Sequence, residues 1–124
     1  MCARAYHEYA KRETIEVKPY EPLDEAWVKA VFGDLAGGIF KENENDVLKT
    51  FDPENIKTHW QEIRDIIATI PTAEELIALY TKIGAKHSLA ELDIDESVRD
   101  DFLDISSAIR NRLTFARMTR LIVK

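Results

Sequence analysis

The stretch Asp52-Pro53-Glu54-Asn55-Ile56-Lys57-Thr58-His59-Trp60-Gln61-Glu62-Ile63-Arg64-Asp65-Ile66-Ile67-Ala68-Thr69-Ile70-Pro71-Thr72-Ala73-Glu74-Glu75-Leu76 decides the fold class. It opens with an aspartate that can accept from the free amides of a first helical turn. The proline beside it suits the first helical position, where its missing N–H costs nothing. Ile56, Trp60, Ile63, Ile67 and Ile70 then recur at helical spacing, which predicts one helix over residues 52–70. Pro71 ends it. Thr72 and Glu75 have the spacing of a capping box, so a second helix follows, with Leu76, Tyr80 and Ile83 facing inward until Gly84 closes it.

Upstream, Cys2, Ala5, Tyr6 and Tyr9 predict a helix over residues 2–12, supported by Arg4 with Glu8 and Glu8 with Arg12. No capping residue precedes it, which fits a helix entered from further upstream as well as a frayed terminus. Residues 13–22, with Pro19 and Pro22, read as an extended connector. Asp24 caps a helix whose apolar face is Trp27, Val28, Val31 and Phe32, and Gly33 interrupts it. A further helical stretch is expected over 34–40, running past the Gly37-Gly38 pair.

Downstream, residues 85–92 read as a loop with one helical turn. The acidic run at Asp93, Asp95 and Glu96 should begin a long helix, because negative charge suits a helix N-terminus. Val98, Phe102, Ile105, Ile109 and Leu113 continue its period, and Phe115, Met118 and Ile122 carry it to the end. Period-two alternation is confined to a few residues near Ile15 and Val17. The expectation is an all-α fold of about five to seven helices, forming a single domain over residues 1–124.

The chain has 124 residues and a formal net charge of −6, which offers no general attraction to nucleic acid or an anionic membrane. Its single cysteine, Cys2, forms no internal disulfide, and no apolar run reaches the roughly 18 residues of a membrane span. The cytoplasm is the expected compartment. The charge is unevenly spread: no acidic residue follows Asp104, while Arg110, Arg112, Arg117, Arg120 and Lys124 do. Such a tail can be a solvated end that complements a helix dipole, or a contact for a phosphate or an acidic partner.

No catalytic constellation emerges from the residues. His7, His59 and His87 are far apart, and none has a second histidine three or four positions away. Glu42-Asn43-Glu44-Asn45-Asp46 lacks the glycine and bidentate glutamate of a calcium loop and reads better as helix capping. Gly33, Gly37 and Gly38 follow no strand and do not make a phosphate-binding loop. Cys2 and His7 fall on different sides of a helix. Ser106 and Ser107 have no neighbouring base and read as small residues at a close helix contact. Adjacent acids such as Glu74-Glu75 and Asp100-Asp101 diverge around a helix by about 100°.

Taken in order, six segments resemble the C-terminal helical domain of the sn-glycerol-1-phosphate dehydrogenase family, within the dehydroquinate synthase-like and iron-containing alcohol dehydrogenase group. They are Trp27-Val28 ending in Phe32-Gly33, His59-Trp60-Gln61-Glu62-Ile63, Ile70-Pro71-Thr72-Ala73-Glu74-Glu75-Leu76, Ile83-Gly84-Ala85, Leu92-Asp93-Ile94-Asp95, and Ile109-Arg110-Asn111-Arg112-Leu113-Thr114. The resemblance implies a family whose complete enzymes use NAD(P) and a divalent metal (zinc, nickel or iron) to interconvert dihydroxyacetone phosphate and glycerol 1-phosphate. The cofactor domain and the metal ligands of that family lie ahead of the region resembled. No residue here matches them, so no catalytic, cofactor-binding or metal-binding residue is carried over. The expectation is therefore a C-terminal segment or detached relative, inactive alone, with a missing N-terminal cofactor domain or a second copy as its partner. Arg110 and Arg112 are its candidate anion contact, because guanidinium forks suit phosphate. The alternative is a free-standing, non-catalytic helical interaction module that could form a homodimer.

Overall fold

Helix starts are set by side chains that accept from otherwise free first-turn amides. The computed structural model describes all residues, Met1–Lys124. Asp24 accepts from the Trp27 amide at 2.6 Å and opens α2 (Glu25–Phe32), after α1 (Cys2–Ala10). Gly33, at φ 51°, then admits a short 3-10 turn and α3 (Ala36–Glu42). Asp52 accepts from the Glu54 amide at 3.0 Å at the start of α4 (Glu54–Thr58), and α5 is Trp60–Ala68. The Thr72–Glu75 capping box forms in both directions, at 3.2 and 2.8 Å, and starts α6 (Ala73–Lys82). α7 (Val98–Ile109) and α8 (Phe115–Met118) complete the order. The fold is all-helical: six helices of seven residues or more, two shorter ones and no strand, in one domain.

The 85–92 segment contains a 3-10 turn, Ala90–Leu92. The Glu91 carboxylate closes it by accepting from the amides of His87 and Ser88 and from the Ser88 hydroxyl. The His87 amide, then the Ser88 hydroxyl and amide, hold the Glu91 carboxyl down to about 2. The acidic run does not itself enter a helix. Asp95 accepts from the Ser97 amide at 2.7 Å, and α7 begins at Val98.

Three expectations fail for tertiary reasons. The helix predicted over 52–70 breaks at His59, whose φ of −100° and ψ of 19° separate α4 from α5. Ile56 and Trp60 nevertheless enter one core cluster, and the indole Nε1 donates to the Arg12 carbonyl at 2.9 Å. The long C-terminal helix stops at Ile109, and the chain beyond Leu121 is extended. Finally, neither Arg4–Glu8 nor Glu8–Arg12 pairs: Arg4 reaches Glu74, Glu8 pairs with Lys11, and Arg12 donates to the Val123 carbonyl.

Two apolar clusters form the core. Ile15, Leu48, Ile56, Trp60, Leu121 and Ile122 make the larger one; Val28, Ala36, Ile39 and Ala108 make the smaller. Phe115 ties α8 to its neighbours through edge contacts with Tyr6 and Tyr9, at 5.0 and 5.7 Å, and by stacking on Trp60 at 6.2 Å. The 13–22 connector is extended as expected, and it pairs with the C-terminus. Lys18 donates to the Leu121 carbonyl and Val123 to the Glu16 carbonyl, on either side of an antiparallel bridge between Val17 and Ile122. No helix is long and apolar enough to cross a membrane.

α6 departs furthest from expectation. None of its side chains is buried; Leu76 is only partly covered, Tyr80 is exposed and Ile83 is 67% exposed. Its apolar stripe exists but meets little of the domain. In dilute solution, Ile56→Ala should therefore cost about 2–5 kcal/mol in urea unfolding, whereas Ile83→Ala should stay within about 0.5 kcal/mol. Equal losses would return Ile83 to the core.

Candidate functional site

The candidate anion contact lies where α7 ends, and its shape follows from how that end is satisfied. In a continuing helix the Asn111 amide would donate to the Ser107 carbonyl four residues back. Instead it donates to Glu42 Oε1 at 3.0 Å, and the Ser107 carbonyl accepts from Arg117 Nη1 at 2.5 Å. The same nitrogen donates to the Arg110 carbonyl at 2.8 Å. One guanidinium thus takes the place of the next helical turn, as basic side chains can at helix C-termini. Arg110 is left extended, at φ −135° and ψ 132°.

Arg117 is fully buried. Its Nε and Nη2 lie 3.1 and 3.0 Å from Asp46 Oδ1, and Nη2 also donates to Asn43 Oδ1. Asp46 is equally enclosed. Its Oδ1 accepts from the Leu48 amide at 3.0 Å, and its Oδ2 accepts from Arg120 Nη1 at 3.0 Å. Arg120 Nη2 donates to the Glu21 carbonyl. Burial alone would raise the Asp46 carboxyl, but the Leu48 amide and the two guanidiniums outweigh it and hold it below the ordinary value of 3.8. Burial, with the Asp46 charge nearby, raises the Tyr20 phenol. No buried side-chain nitrogen or oxygen lacks a partner, the condition under which an internal ion pair is tolerated.

Asn111 completes the frame. It accepts from the Val47 amide at 2.9 Å and donates to the Asn45 carbonyl at 2.7 Å. The 42–46 run, expected to cap helices, caps the 3-10 turn Val47–Thr50 through Asp46 and, with Val47, clamps the end of α7. On the segment so held, Arg110 and Arg112 are exposed, and neither guanidinium makes an ion pair or hydrogen bond within the chain. Exposed Ile109 and Leu113 flank them. The structure therefore leaves the two predicted arginines available while taking Arg117 and Arg120 out of the basic tail. Asn43, Asp46, Asn111, Arg117 and Arg120 were the residues that sequence reasoning did not connect. The acid-free tail and the Asn/Asp-rich 42–46 run are both visible in the sequence, but nothing local pairs them.

The remaining candidates do not assemble. His7 Nε2 donates to the Ile70 carbonyl at 2.9 Å, His59 Nδ1 pairs with Glu62 at 3.1 Å, and His87 lies beside Thr81 and Glu91. Each histidine has its own separate partners, and no three His, Cys, Asp or Glu side chains gather into a group that could hold a metal ion. The residues present do not fit the metal that the resembled family uses. A shallow groove of about 460 Å³ adjoins Trp27 and Arg120, but its rim charges already pair as Lys18–Glu21 and Lys124–Asp104. Ser107 is buried at the α7 end with its hydroxyl on the Asp104 carbonyl, in keeping with a small residue at a close contact.

No protein-family model, curated protein or solved structure matches the chain.

Removing the Asp46 charge leaves buried Arg117 uncompensated, so Asp46→Asn should cost about 3–5 kcal/mol in urea unfolding at pH 7. Because the folded-state carboxyl sits below its unfolded value, its stabilisation is complete above pH of about 4 and is lost as the pH falls through the lowered value. The variant should lack that part of the acid sensitivity. An unchanged midpoint in the variant at pH 7 would remove the pair from the account.

Proposed function

We propose that this chain is the helical domain of a glycerol-1-phosphate dehydrogenase-like oxidoreductase, inactive by itself and completed by a domain that carries NAD(P) and a divalent metal. The observation that carries the reading is the hydrogen-bonded 110–113 segment, which lies in the resembled Arg110-Asn111-Arg112-Leu113 run and presents two unpaired guanidiniums. Two hydrogen bonds hold its backbone, from the Asn111 amide to Glu42 and from Arg117 to the Arg110 carbonyl, so the arginines would meet a phosphate ester on a segment already anchored. In the complete enzyme their task would be to bind and orient the phosphate of the substrate, leaving the reacting carbon to the other domain. Hydride transfer needs a cofactor held against a polarised carbonyl. The side chains described above do not build that arrangement. The proposed compartment is the cytoplasm.

A second reading, a free-standing helical interaction module, is favoured by the uncovered α6 stripe. The coding DNA ahead of Met1 separates the two. An in-frame glycine-rich cofactor domain with an aspartate and two histidines supports the enzyme, and a genuine promoter and start site there supports the module.

The purified chain, supplied with NADH or NADPH and zinc, nickel or iron, should not reduce dihydroxyacetone phosphate; measurable turnover would overturn the proposal. With the chain joined to its cofactor domain, Arg110→Ala with Arg112→Ala should raise KM for the phosphate ester by about tenfold or more, since a charged hydrogen bond contributes roughly 1.5–3 kcal/mol. The kcat should change less. An unchanged KM would eliminate the anion contact.

A further inference from the structure

The α6 surface has a pattern beyond simple exposure. Leu76 and Ile83 are seven residues apart, with Leu79 and Tyr80 between them, so the four form one stripe along the helix. Glu75 and Lys82 are also seven apart and therefore lie on one flank of that stripe, an acid towards its N-terminal end and a base towards its C-terminal end. Neither makes an ion pair within the chain, although one Glu75 carboxylate oxygen closes the capping box. Beside the N-terminal half of the stripe runs an open groove of about 460 Å³ in which Ala68, Ile70, Pro71, Leu76 and Leu79 line the wall together with Thr69 and Glu75.

We infer that a second copy of this chain docks on α6, the two helices antiparallel about a two-fold axis near Ala78 and Leu79. When two helices face each other antiparallel across a two-fold axis, each flank meets the same flank of the other copy. Centred there, Glu75 of each copy stands opposite Lys82 of the other, and both charges find partners twice over. A parallel arrangement would not bring that flank against itself. The same register sets Ile83 of the second copy level with Glu74, beside the groove that Ile70, Pro71 and Leu76 line. The exposed residue with no cover in the single chain thus meets the depression with no filling.

The surface area agrees with a pair. The chain exposes 8337 Å², against roughly 6,800 Å² for a compact monomer of its mass. The surplus of about 1,500 Å² falls within the share that each chain buries in a permanent dimer, roughly 1,000–2,500 Å². The α6 stripe is away from the 110–113 segment in sequence, and the inference does not rest on the phosphate-ester reading.

Sedimentation equilibrium of the full chain tests it. The account expects twice 14.3 kDa at micromolar concentration. Ile83→Glu and Leu79→Glu should each yield monomer with an unchanged helical circular dichroism spectrum. Lys82→Glu, which sets like charges against Glu75 of the other copy, should weaken association at least tenfold. Adding Glu75→Gln, which can keep the capping box, should recover part of that loss. A monomer up to 100 μM overturns the inference, including one that associates only with a cofactor-bearing domain supplied in trans. A dimer indifferent to Ile83→Glu and Lys82→Glu overturns it as well.

Discussion

The buried contact between Arg117 and Asp46 is the constraint on which the rest of this fold depends. A lone guanidinium removed from water would be costly to the domain, and so would a lone carboxylate. Here each satisfies the other, and the remaining donors of Arg117 take up Asn43 and the carbonyls of Ser107 and Arg110. The network also touches both halves of the core. Asp46 precedes Val47 and Leu48, which belong with the larger cluster, while Ser107 precedes Ala108 of the smaller one. Two small apolar clusters are thereby joined through an ionic link in which every buried polar atom is paired.

That link also explains the chemistry of the surface. By substituting for a helical turn, Arg117 ends α7 and leaves 110–113 as a non-helical segment clamped through Asn111 to Glu42, Asn45 and Val47. The free arginines are displayed because a neighbouring arginine is not free. A basic tail that reads as uniform in composition divides into two enclosed residues, Arg117 and Arg120, an exposed Lys124 paired with Asp104, and two exposed residues without a partner, Arg110 and Arg112.

What was legible in the sequence was local. Asp24, Asp52 and the Thr72–Glu75 box act within two to three residues of themselves, and their predicted caps are all present. The helical class and the extended 13–22 connector followed from the same short-range rules. The break at His59 adjoins Trp60, which shares a core with Ile15 and Leu121 and donates to the carbonyl of Arg12, 48 residues away. The end of α7 depends on Glu42 and Asp46, more than sixty residues from Asn111 and Arg117. No periodicity reports such distances. For α6 the spacing located the apolar stripe correctly; the error lay in assuming that this domain covers it. Amphipathic spacing identifies the face that needs a partner and leaves the partner unnamed.

A double-mutant cycle on the central pair tests this account most directly, using Asp46→Asn, Arg117→Met and the two combined, with stability read from urea unfolding at pH 7. The account predicts strong coupling: the double variant should be at least about 1 kcal/mol more stable than the sum of the single losses, because removing both charges leaves neither one stranded. Losses that add to within about 0.5 kcal/mol would contradict it, since they would mean that Arg117 and Asp46 are held in place independently of each other.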